Sequence, residues 1–275
     1  MRIALPLVLA AALAVPAFAD TTNTDPLPPT KVSWSFEGPF GTYDRAALQR
    51  GFQVYKEVCS ACHSLNRVAF HDLSSGPGGP GAEEGNGGGI GFSDAQVKAI
   101  AAAYKIPADP NDKGELFDSS GERLTRPGIV ADHFPAPFAN EEAARAANNG
   151  ALPPDLSLIV KAREGGARYV YSILTGFGQK PPAGFKVMAN KYYNPYFAGW
   201  NISMPPPLSE GAVTFSDGTT ATVDQEAHDV VTFLSWAAEP KMEERKRLGF
   251  GVMAFMLLLS GLLFLSYRRV WKDQH

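Results

Sequence analysis

The chain has 275 residues, with 25 Lys plus Arg against 28 Asp plus Glu and a formal net charge of −3. An acidic balance of this kind excludes a protein held to nucleic acid by phosphate contacts. No repeat recurs at a fixed period, which excludes solenoids and propellers, and only two cysteines are present among 27 glycines and 22 prolines.

The first element is MRIALPLVLAAALAVPAFAD. One positive charge at Arg2 precedes an apolar run from Ile3 to Val15 and a small-residue pattern, Ala17-Phe18-Ala19. That order predicts a secretory signal peptide over residues 1–19, cleaved after Ala19. The run is too short, and too interrupted by Pro16, to serve as a spanning anchor. Export would place residues 20–245 outside the cytoplasmic membrane, in the periplasm of a bacterium.

In DRAALQRGFQVYKEVCSACHS, the positions Leu48, Phe52, Tyr55, Cys59 and Cys62 recur at spacings of four, three, four and three. The spacing predicts one helical stripe running into the cysteine pair. GPGGPGAEEGNGGGIG, Gly76 to Gly91, cannot be a regular element. It lacks the Lys and Ser/Thr of a phosphate-binding loop and reads as a surface insertion. Ser93 and Gln96 form a capping box before VKAIAAAY. Asp155 to Arg163 and Arg168 to Thr175 read as two short helices, ended by Gly165-Gly166 and by Gly176. AVTFSDGTTATV, centred on Asp217-Gly218, carries the hairpin signal. Thr222 with Gln225 caps a further helix, EAHDVVTFLSWAA, whose Val230, Val231, Leu234 and Ala238 share a face. Finally, LGFGVMAFMLLLSGLLFLSY, Leu248 to Tyr267, has no charge over twenty residues, the length needed to cross about 30 Å of hydrocarbon. Residues 246–268 are therefore expected to be a transmembrane anchor, with 269–275 a short cytoplasmic tail. The flanking positive charges are too balanced to orient it; the export signal does so.

Cys59-Ser60-Ala61-Cys62-His63 is a C-x-x-C-H sequence, the attachment pattern for haem c. Two thiols add across the haem vinyl groups, and the adjacent imidazole binds iron. A thioredoxin-like site would want a strand before the cysteines, a zinc site two further ligands, and a structural disulfide no neighbouring histidine. The sixth iron position then separates electron transfer from chemistry on a bound ligand. Of six methionines, Met188 and Met204 lie outside the signal, the span and its charged flank. Met204 precedes Pro205-Pro206-Pro207, which hold an extended backbone, and stands about twenty residues before the last amphipathic helix. It is the preferred ligand, with Met188, His71, His133 and His228 as the alternatives.

The blocks WSFEGPFGTYDRAALQRGFQVYKEVCSACHS, ANNGALPPDLSLIVKAREGGARYVYSILTGF, YYNPYFAGWNISMPPPL and FLSWAAEPKMEERKRLGF resemble the cytochrome c1 family, from about Trp34 to the C-terminal anchor. The resemblance implies a mainly α, class I cytochrome c-like haem domain with long Pro/Gly-rich insertions, one small β-hairpin and a single C-terminal transmembrane helix. It implies one haem c on Cys59 and Cys62, iron ligands His63 and Met204, and haem-pocket residues Asn148, Pro154, Arg163 and Tyr169. Arg163 would pair with a buried propionate, whose charge is costly without a partner. Implied partners are cytochrome b, the Rieske iron-sulfur protein and a soluble cytochrome c, within a dimeric quinol:cytochrome c oxidoreductase in the inner membrane. One departure is Gly178, where some relatives have a cysteine; the disulfide found in those relatives cannot form here.

Ala82 to Glu142 carries eleven acidic against five basic residues, a balance of −6. Such a segment is either a solvated face or an acidic field that draws in a basic partner. Two other functions remain open at this point. A tethered cytochrome working alone would purify without cytochrome b, and a peroxidase-like enzyme would bind added cyanide or carbon monoxide at an open iron.

Overall fold

A computed structural model describes residues 24–75 and 89–273. The expected signal peptide and most of the glycine-rich stretch lie outside the described residues. Two helices set the frame. Helix α1, Arg45–Glu57, starts at Asp44, whose carboxylate accepts from the Ala46 and Ala47 amides at 2.9 and 3.2 Å. Its stripe of Leu48, Phe52 and Tyr55 is buried, as the spacing predicts. The other helix of the pair, α5, Val223–Ala238, begins at the Thr222 cap and buries nearly every residue after Gln225 except His228. The capping box there is half formed: Thr222 Oγ1 accepts from the Gln225 amide, while the Gln225 side chain donates to Asp229 instead.

The two helices cross in close contact. Phe52 and Tyr55 meet Phe233 with ring centroids 5.7 and 5.8 Å apart, and Phe233 stacks on the fully buried Trp236. Gly51 makes this approach possible, because a Cβ there would lie 2.0 Å from the Asp229 carbonyl oxygen and 2.8 Å from Phe233 Cβ. Arg50 locks the crossing. Its Nε donates to the buried Asp229 carboxylate at 2.6 Å, and its Nη1 donates to Asp217 at 2.8 Å.

Between the pair come α2, Asp94–Ala102, whose Ser93/Gln96 box is complete, and a two-stranded antiparallel ladder, β1 Lys105–Pro107 with β2 Thr125–Pro127. Helix α3, Glu141–Ala147, starts at Asn140. Helix α4, Gly166–Thr175, packs on α5 through Val170 and Tyr171, and the Tyr171 hydroxyl donates to Asp224. A second ladder pairs β3, Tyr192–Tyr193, with β4, Asn201–Ile202. Last comes α6, Met242–Val270, 29 residues long, with a mean hydropathy of 2.4 over its apolar stretch and none of that stretch buried.

The mainly helical class therefore holds, while three expectations are corrected. Asp155–Arg163 forms successive turns instead of a helix: the Leu156 amide bonds Ser64 O at 2.9 Å, and the Ser157 amide bonds its own neighbour Asp155. Gly165 does not end that segment but opens α4, in the left-handed conformation at φ +81°. AVTFSDGTTATV makes its turn at Asp217 yet no ladder, because the Val213 amide bonds the Glu226 carboxylate and not a facing strand. The small antiparallel pairs form elsewhere.

Candidate haem site

The cysteine pair sits where α1 tightens. After Val58 closes the helix, Cys59–Ala61 forms a 3₁₀ turn, and the amides of Cys62 and His63 both bond Cys59 O, at 3.1 and 2.9 Å. The turn directs Cys59 against the core and leaves Cys62 exposed, with both thiols free of any disulfide. Apolar burial, with Cys62 nearby, pushes the Cys59 thiol up to about 12. A sulfur in such surroundings is best kept uncharged, as a thioether always is.

His63 is oriented from the opposite side. Its Nδ1 lies 2.8 Å from Pro154 O. A carbonyl oxygen only accepts, so Nδ1 carries the proton and Nε2 keeps its lone pair. Burial holds the imidazole below its ordinary value, against the opposing pull of Pro154 O and Asp155, so the ring is neutral and able to ligate at physiological pH. A carbonyl accepting from the far ring nitrogen in this way fixes the tautomer and direction of a ligating histidine.

Pro154 is itself held in place by Asp155, a residue the sequence reading used only as a helix start. The Asp155 carboxylate accepts from Ser64 Oγ at 2.8 Å, the Asn66 amide at 2.9 Å and the Ser157 amide at 2.9 Å. Burial alone would raise its pKa; these bonds outweigh burial and lower it. Ser157 Oγ in turn accepts from the Arg67 amide at 3.1 Å. The segment after Pro153 is thus laced to the segment after His63. An open groove of about 350 Å³ runs alongside, lined by Cys62, Pro154, Leu152, Asn140 and Ala144 among others.

The remaining candidates lie on other segments. Asn148 ends α3 and donates from Nδ2 to Ala144 O at 2.7 Å, beside the groove. Arg163 is exposed and donates to Ala162 O, and its charge acts on the Tyr169 phenol, which burial raises and Arg163 lowers. Arg163 is thus near enough to Tyr169 for its charge to be felt there, and its side chain is exposed. Met204 is partly buried two residues after β4.

Its loop is held firmly. Trp200 adopts φ +56°, costly for a bulky side chain, yet packs edge-on against Phe185 and Tyr193 and donates from Nε1 to Asp25 O at 3.0 Å. Met188, by contrast, is 65% exposed. Among the alternative histidines, His71 pairs with Asp72, His228 stacks on Trp34 at 4.7 Å, and His133 is exposed. Among the described residues, no cluster of three or more His, Cys, Asp or Glu side chains is placed to hold a bare metal ion.

The profile of the Cytochrome C1 family matches residues 34–274. The chain belongs to this family. Its relatives include the cytochrome c1 of Rhodospirillum rubrum, 46% identical over 258 residues, which cover 88% of this chain and 87% of that protein. The mitochondrial cytochrome c1 heme protein of Saccharomyces cerevisiae is 46% identical over 234 residues, 85% of this chain and 68% of that one. Cytochrome b/c1 of Bradyrhizobium diazoefficiens is 47% identical over 292 residues; the match covers 99% of this chain and 40% of that longer protein.

Proteins of the cytochrome c1 family carry haem c, and the site fits that group. Two uncrosslinked thiols, one packed against the core and one at a groove, suit covalent attachment through Cys59 and Cys62, and the unprotonated Nε2 of His63 beside them suits an iron.

Proposed function

We propose that this chain is the electron-transfer subunit of a quinol:cytochrome c oxidoreductase, taking single electrons from a Rieske iron-sulfur protein and passing them to a soluble c-type cytochrome. The observation that carries this reading is the orientation of His63 by Pro154, in a chain that matches the cytochrome c1 family over nearly its whole described length. Bound haem c supplies reversible one-electron chemistry. The protein's part is to hold His63 neutral and correctly turned, to keep Cys59 in apolar surroundings, and to offer a further side chain that would hold the iron. Met204 would serve there, its soft thioether completing the set of residues that hold the group and favouring a higher potential. Arg163 and Tyr169 would face the propionates, and Asn148 the pocket wall.

The reading also places the chain in a membrane. Helix α6 is long and apolar enough to span it, and the leader-like residues 1–19 argue for export of the haem domain to the periplasmic side, beside cytochrome b. The test is gentle solubilisation of the membrane followed by purification on this subunit. Co-purification of b-type haem, an iron-sulfur protein and quinol:cytochrome c reductase activity is expected. Isolation as a lone cytochrome would favour the tethered shuttle. Ready binding of carbon monoxide to the native reduced protein would favour an open, enzyme-like iron.

A further inference from the structure

The loop between Trp34 and Tyr43 has an apolar tip that the haem site does not use. The Glu37 amide bonds Trp34 O and the Thr42 amide bonds Ser35 O, both at 3.1 Å, which folds the segment back on itself. Trp34 and Phe36 point inward, stacked at 5.6 Å, whereas Phe40 is 81% exposed. An exposed phenyl ring on its own is ordinary; its meaning depends on the larger apolar surface it joins.

What that surface is follows from where the tip sits. Lys246 Nζ donates to Phe36 O and Gly41 O, both at 2.8 Å. Glu243 accepts from the Tyr43 amide at 2.7 Å and from Arg45 Nη2 at 2.6 Å. The loop is thereby clamped to the first turns of α6. One turn beyond Lys246, the Phe40 ring stacks on Phe250, with centroids 5.0 Å apart and planes 7° from parallel. Phe250 is the third residue of the uncharged run Leu248 to Tyr267, whose length matches the hydrocarbon thickness. At 1.5 Å per residue the ring of Phe250 lies about 3 Å inside its edge, and Phe40 is at the same depth.

We infer that the loop tip is a second membrane contact, with Phe40 seated in the lipid at the boundary between headgroups and acyl chains. This rests on the reading of α6 as the membrane anchor. The occupant is lipid because the tip is continuous with the lipid-facing surface of that helix. The loop's other ties then have a purpose. Arg168 pairs with Glu37 and also donates to Val32 O, joining the loop to α4. Two contacts with the bilayer, joined to the haem domain by this clamp, fix the tilt of the domain in a way that a single helix cannot.

The test uses the haem-loaded full chain in vesicles of zwitterionic and anionic phosphatidyl lipids. Spin labels are placed singly at Phe40→Cys, Leu258→Cys and Ser119→Cys; Leu258 lies mid-span and Ser119 is exposed in the polar segment between β1 and β2. With haem attached, Cys59 and Cys62 have no free thiol to compete. Collisions with oxygen, which partitions into lipid, are compared with those of a water-soluble nickel chelate, with the haem reduced and diamagnetic. The label at position 40 is expected to lose nickel accessibility and gain oxygen accessibility relative to position 119, to a shallower degree than position 258. A label at 40 as accessible to nickel as the one at 119, with 258 immersed, overturns the inference and leaves the anchor standing. A label at 40 shielded from both reagents in the purified complex also overturns it, since a protein partner would then cover the tip. If 258 is itself open to nickel, the anchor reading fails and this inference with it.

Discussion

At the scale of single residues, the proposed haem-holding residues can be read from sequence because their chemistry is written locally. Cys59, Cys62 and His63 follow one another within five residues, and Met204 is singled out by elimination and by the prolines after it. What orients His63 was not legible. Asp155 and Ser157 reach back about ninety positions to Ser64, Asn66 and Arg67, and nothing in local periodicity encodes that pairing. For Met204→Leu, the expected outcome is a lower midpoint potential with haem still covalently attached, because leucine removes the soft thioether and leaves both thioether links intact. A redox titration beside a denaturing gel stained for haem measures both; an unchanged potential would assign the sixth position elsewhere.

A second residue-scale prediction concerns His228, half-buried against Trp34. Asp229, 3.9 Å away, raises its pKa against the opposing effect of burial, with the Ser33 backbone and Asp224 acting in the same sense as Asp229. A raised value in the folded state means that the proton favours folding. The contribution is complete below the unfolded value of 6.5 and is lost as pH rises through the higher folded value. In urea titrations across that window, wild type is expected to lose stability relative to His228→Gln as pH rises. Parallel curves would refute the linkage.

At the scale of elements, the helices read most surely are those with both a stripe and a cap. Gly51→Ala is expected to destabilise the α1–α5 crossing by about 1–3 kcal/mol, the cost of forcing extra volume into a packed interface. A Cβ at that position meets backbone atoms that cannot turn away. The midpoint of chemical denaturation should fall while the haem spectrum of the folded fraction is unchanged. The elements that escaped sequence reading share a physical reason. Helix α3 is seven residues of EEAARAA with only Ala144 buried, so it has no apolar stripe to find. The two ladders are three and two residues long, too short for alternation to show. In the expected hairpin, Asp217-Gly218 turns the chain as its chemistry dictates. Val213 and Phe215 then bury in the core, and Asp217 is taken by Arg50, so side-chain partners on α1 and α5 replace the strand pairing.

For the whole molecule, the proposed function raises the question of what would bring a soluble partner to the domain. Part of the acidic excess between Ala82 and Glu142 is spent on structure: Asp132 pairs with Arg126 at 2.6 Å, and Asp94 accepts from Ser74. The rest is concentrated between β1 and β2. There, Asp109, Asp112, Glu115, Asp118 and Glu122 stand exposed against Lys113 and Arg123, a balance of −3. This excursion is ordered. The Ala108 amide bonds Leu124 O, the Leu124 amide bonds Leu116 O, and Asp118 accepts from the Ser120 and Glu122 amides. Fixed charges of one sign create a steering field, worth on the order of tenfold or more in association rate at low salt. That field is screened beyond about 8 Å at physiological ionic strength.

Neutralising Asp109, Asp112, Glu115 and Glu122 to their amides, with Asp118 kept for its turn, should slow electron transfer to a basic soluble cytochrome c at low salt. Most of the salt dependence should disappear with it, while the redox potential stays unchanged. The variant and wild-type rates should converge as salt rises, because only long-range attraction has been removed. Stopped-flow measurement across a salt series decides the matter. A variant that keeps the wild-type slope would show that the lobe is a solvated face, and that docking charge must be sought elsewhere on the haem domain.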